Sequence, residues 1–143
     1  MGADLAAANV NRSYQLGATS IAIFTFMLIF LYPKFAVGDV NPVLFQVTLI
    51  VMAMATFSFV LTTFYYYGAS LTGRFDEAQR AVYSRRGDRF WLVGYSLLLL
   101  DPSLILLCVG LSLVAAAWFA LWLVYLFVAV RNFPRVQTAA QRS

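Results

Sequence analysis

Asp101 is the residue in this chain best placed to do chemistry. It is the only formal charge between Phe90 and Val130, an otherwise apolar run. An ionised aspartate at the centre of a membrane span costs about 2.5 to 3.5 kcal/mol on insertion scales, so an acid kept there is a functional candidate by default. It could stay protonated, relay protons, coordinate a cation or pair with a basic residue of a partner subunit. Pro102 follows it directly. A proline inside a helix leaves the carbonyl one turn earlier without its amide partner, which would bring a second oxygen to the site. The same Asp-Pro-Ser order also starts helices, so Asp101 as an N-cap at an outer turn stands beside the functional reading.

A second constellation is built from hydroxyls. Thr48, Thr56 and Thr62 lie in one apolar run, and Thr48, Ala55 and Thr62 are seven residues apart, which is one face of a helix. Such hydroxyls ordinarily bond their own backbone or a packed neighbour; a polar pathway shared with Asp101 is the alternative. A third group, Arg74, Arg80, Arg85, Arg86 and Arg89, falls in the one substantial polar stretch between apolar runs. These cations could contact anionic lipid headgroups or serve topology alone. Ala116 and Ala120 form a small-xxx-small pair, a surface for close helix packing within the chain or between subunits, and Trp118 and Trp122 lie beside it.

Catalytic machinery is sparse. There is no histidine and one cysteine, Cys108, so the usual zinc, copper and haem ligand sets cannot be assembled from this chain alone, and no cofactor is expected. Ser96, Ser103 and Ser112 have no evident activating base, and no glycine-rich phosphate loop occurs. Nucleic-acid binding is not expected, because membrane topology already accounts for the positive charge.

The elements that must position these residues follow from composition. The 143 residues are 62% hydrophobic and 11% charged, whereas soluble domains carry about 25% charged residues. Too little polar surface exists to cover the chain in water. Continuous apolar runs, without strict alternation, select membrane helices over a barrel. The first fifteen residues lack the basic start and short apolar stretch of a secretory signal, so the first span is expected to be retained.

A span needs about 20 apolar residues. The expected fold is therefore an all-α integral membrane protein, a single membrane domain over residues 1–143 with spans at about 16–36, 42–67, 90–109 and 111–131. Asn41-Pro42 gives the second span its start signal. A turn at Asp101 would leave only Phe90–Leu100 for the third span, about 16 Å of helix, so the turn is placed near Gly110. Residues 68–89 form the loop between the second and third spans. Within it, Phe75, Ala78, Val82 and Tyr83 recur at helical spacing, which suggests a short amphipathic surface helix between two helical hairpins. Residues 132–143 form a tail.

Orientation follows from the basic residues. Arg12, the five loop arginines, Arg131, Arg135 and Arg142 fall on one side of a four-span chain, and Lys34 alone on the other. That asymmetry puts both termini in the cytoplasm, and size and charge bias fit a bacterial inner membrane. The expected function is a non-enzymatic multi-pass subunit that packs with, and stabilises or positions, other membrane protein chains; the expected partners are the lipid bilayer and other membrane protein subunits or further copies of this chain. The alternative is a small homo-oligomeric ion or solute channel or transporter using Asp101.

Overall fold

A computed structural model describes residues 2–71 and 73–140, with side-chain surroundings for 7–71 and 73–131; Arg142 and the end of the tail lie outside the described residues. Among the described residues four α-helices follow in order: α1 (Gly2–Ala36), α2 (Pro42–Ser70), α3 (Glu77–Cys108) and α4 (Ser112–Ala140). Each contains a stretch long and apolar enough to cross a membrane.

The helix ends are set by local chemistry. Asn41 caps α2: its side-chain oxygen accepts from the amides of Val43 and Leu44 at 3.0 and 3.1 Å, and Pro42 occupies the first turn, where no amide is needed. Asp76 caps α3 in a reciprocal box with Gln79. α1 and α3 end alike. The Asp39 amide bonds Lys34 O and the Gly38 amide bonds Phe35 O; the Leu111 amide bonds Leu106 O and the Gly110 amide bonds Leu107 O. Both glycines have φ +82°, so each helix closes on a left-handed residue that satisfies its last carbonyls. The chain between α3 and α4 thus reverses at Val109–Leu111, and α3 runs straight through Asp101 and Pro102.

Two expectations are corrected. Among the described residues there is no separate short amphipathic helix between the second and third long helices. After a short link, α3 starts at Glu77 and continues unbroken past Arg85, Arg86 and Gly87 into its apolar part. Gly87 reads as a stop signal in sequence but is a contact residue: a Cβ there would stand 3.0 Å from the Tyr66 ring. Nor does the chain divide into two hairpins, because the most extensive packing is α2 on α3.

That pairing has a repeating cause. Buried positions on α2, among them Thr48, Met52, Ala55, Phe59, Thr62 and Tyr66, recur at alternating steps of three and four, the seam geometry of left-handed helix pairs. α3 answers with Gly87, Gly94, Asp101 and Cys108, all buried and seven apart. The glycines let the backbones approach, which is how membrane helices gain packing where lipid offers no hydrophobic drive. α1 packs on the other flank of α2 and touches α3 only narrowly, with Met27 and Leu31 meeting Phe45 and Cys108 in the apolar core near the α1–α2 turn. Among the described residues α4 packs on α3 alone. The helices therefore form an open row, α1–α2–α3–α4, and not a closed bundle.

Candidate functional site

Cross-helix contacts fix where Asp101 sits. Antiparallel to α3, α2 places Ser58 and Phe59 against Gly94 and Thr48 against Cys108, whose Sγ lies 3.5 Å from Thr48 Oγ1. Asp101 lies midway between these anchors, at the level of Met52 and Ala55, which are both wholly buried. On the α1 side, Gly17 faces Phe59, which puts Ser20 near the level of Thr56, within about a turn of the same layer. Asp101 is 1% exposed, and neither carboxylate oxygen has a hydrogen-bond partner. Ser20 Oγ is also buried without a partner. These are the two buried side-chain groups whose oxygens stand unpartnered among the described residues, and they lie within about a turn of one depth.

Pro102 sits inside α3, one residue beyond the carboxyl. Its missing N–H removes the bond that Leu98 O, four residues earlier, would accept. Asp101 is thus mid-helix, not a cap, and beside a carbonyl released by its own sequence neighbour.

The threonines are not gathered around it. Thr48 donates to Leu44 O at 2.7 Å, Thr56 to Met52 O at 3.0 Å and Thr62 to Ser58 O at 2.8 Å. Thr48 and Thr62 lie in the buried seam, whereas Thr56 lines an apolar groove of about 510 Å³ between α1 and α2, with Tyr14, Gly17, Phe59 and Thr63. Asp101 does not line that groove.

The tryptophans have a role that their composition alone left open. Trp118 Nε1 donates to Leu99 O at 2.8 Å, Trp122 Nε1 donates to Ser96 O at 2.9 Å, and Ser103 Oγ donates to Ala115 O at 2.9 Å. Acceptors and donors step by three and four along both helices, so the bonds form an antiparallel ladder that holds α4 on α3. The sequence signal was available in the spacing 96, 99, 103 against 115, 118, 122, together with the need of a partly buried indole N–H for an acceptor. Ala115 is the small residue in that contact; Ala116 and Ala120 are exposed on α4.

At the other end of the α2–α3 pair, Tyr66 Oη donates to Asp88 Oδ1 at 2.5 Å, and Tyr65 stacks on Phe90 with ring centroids 5.4 Å apart. Of the loop arginines, Arg74, Arg85, Arg86 and Arg89 are exposed, and Arg80 is half-buried with its Nε lacking a partner. Among the described residues no group of three His, Cys, Asp or Glu side chains could hold a metal ion. Comparison with protein-family models, curated proteins and solved structures gives no match to this chain.

Proposed function

We propose that the chain is a non-enzymatic, multi-pass membrane subunit that packs with other membrane chains and stabilises or positions them. What supports this reading most is the free edge of the helical row. α4 contributes only Ala115 as a buried residue among those described, while its small-xxx-small pair, Ala116 and Ala120, stays uncovered. A narrow, small-residue face lets a second helix backbone come close, and van der Waals contact of that kind drives association in lipid. Among the described residues no helix covers the pair.

The reading includes an orientation. Both termini and the α2–α3 link face the cytoplasm of a bacterial inner membrane, with Arg74, Arg80, Arg85, Arg86 and Arg89 against anionic headgroups, each contributing about 1 kcal/mol. A homo-oligomeric channel using Asp101 has less support, because Asp101 is enclosed within one protomer and Thr56 lies on the α1 side of α2.

A photo-crosslinking residue at position 116 or 120, activated in native membranes, tests the proposal. Adducts with a different membrane chain are expected; adducts only with lipid or with the same chain would overturn it.

A further inference from the structure

Asp101 is not explained by packing. A leucine or asparagine would fill the seam between α2 and α3 without placing an ionisable group there, and the charged form has nothing to answer it. At its level α2 presents Met52 and Ala55, α1 presents Ser20 and Phe24, and α4, in the register set by the Ser103–Ala115 and Trp118–Leu99 bonds, carries Ala116 and Ala117, both exposed. None of these is charged or titratable. The nearest titratable groups along α3 are Tyr95 and Cys108, and α2 carries no acidic or basic residue from Pro42 to Ser70. Burying an ionised carboxylate without a partner is far more costly than burying the neutral acid.

The neutral acid, unlike the carboxylate, needs an acceptor. Pro102 provides one by leaving Leu98 O without its amide, and Leu98 lies three residues before Asp101, a spacing at which a helix side chain reaches back to a carbonyl. The residues packed around it leave little room, since Ser20, Met52 and Ala55 are all wholly buried. A proton fits such a place; a hydrated ion does not.

We propose that Asp101 is a reversible proton-binding site inside the membrane, its acid hydrogen donated to the Leu98 carbonyl that Pro102 leaves free. The step is the addition of one proton to one carboxylate oxygen and its later release, with no other reactant. Ser20 Oγ, buried without a partner within about a turn of the same depth, is the donor that an emptied carboxylate would turn to.

Infrared spectroscopy of the protein in liposomes tests this directly, because it needs no reagent to enter the layer. Wild type is expected to show the carbonyl stretch of a protonated carboxylic acid at neutral pH, a band that Asp101→Asn lacks and that fades reversibly as the pH is raised. Should Asp101→Asn fail to fold, Asp101→Glu serves, with a displaced band expected. The band is expected to stay unchanged when sodium or lithium is added at constant pH. Absence of the band from mildly acidic to mildly alkaline pH would overturn the proposal. So would loss of the band on adding sodium or lithium at constant pH, which would make the site one for an alkali cation.

Discussion

Alanine at Gly17 and at Gly94 is the same chemical change, made inside a helix and against the same residue, yet it should stabilise only at Gly17. Both glycines face Phe59. In a helix interior alanine is favoured over glycine by about 0.5 to 1 kcal/mol. At Gly17 the added Cβ would lie 3.6 Å from Phe59 Cβ, an ordinary contact, so the gain is kept. At Gly94 it would lie 3.1 Å from Phe59 Cε1 and 3.1 Å from Ser58 Cβ. Phe59 is wholly buried and a Cβ is fixed to its backbone, so neither can swing aside and α2 and α3 must part slightly along their seam. Overpacking of that kind costs about 1 to 3 kcal/mol. Gly17→Ala is therefore expected to stabilise by up to about 1 kcal/mol, and Gly94→Ala to range from neutral to a loss of about 2 kcal/mol. The helix term is common to both and cancels in their difference, leaving about 1 to 3 kcal/mol of pure contact. Reversible unfolding in mixed micelles by added dodecyl sulfate, followed by circular dichroism, measures it. A Gly94→Ala protein at least as stable as Gly17→Ala would refute the close-packed seam.

Trp122→Phe keeps an aromatic ring but removes the indole N–H that forms one rung of the α3–α4 ladder; the lost hydrogen bond is expected to cost about 0.6 kcal/mol, at most about 1.7, in the same unfolding assay, with the smaller ring adding to the loss. Gly110→Ala meets no atom within 4 Å, but its backbone sits at φ +82°, so the expected cost of about 1 kcal/mol is conformational alone and should appear without any change in helix content.

Much of this architecture is legible in the residues. Asn41-Pro42 opens α2 because proline lacks only an amide that the first turn does not need, and that signal is local. The stretch around Gly87 misleads for the opposite reason. A glycine after two arginines resembles a helix end in isolation, yet its missing Cβ is used by the Tyr66 ring on another helix, which no local pattern reveals. Ala115, Ala116 and Ala117 are equally small; which of them meets α3 depends on the rotation of α4 fixed by Trp118 and Trp122, a tertiary fact. Asp101 stands out in sequence because of where it must lie. Its lack of a partner becomes visible only once α1, α2 and α4 are packed in place.

The central claim is that this chain works in the company of other membrane proteins. Native mass spectrometry after gentle extraction from its own membranes tests it most directly. Release together with other membrane chains at a fixed ratio is the predicted result; a monomer, or a closed homo-oligomer with no other chain, would contradict it.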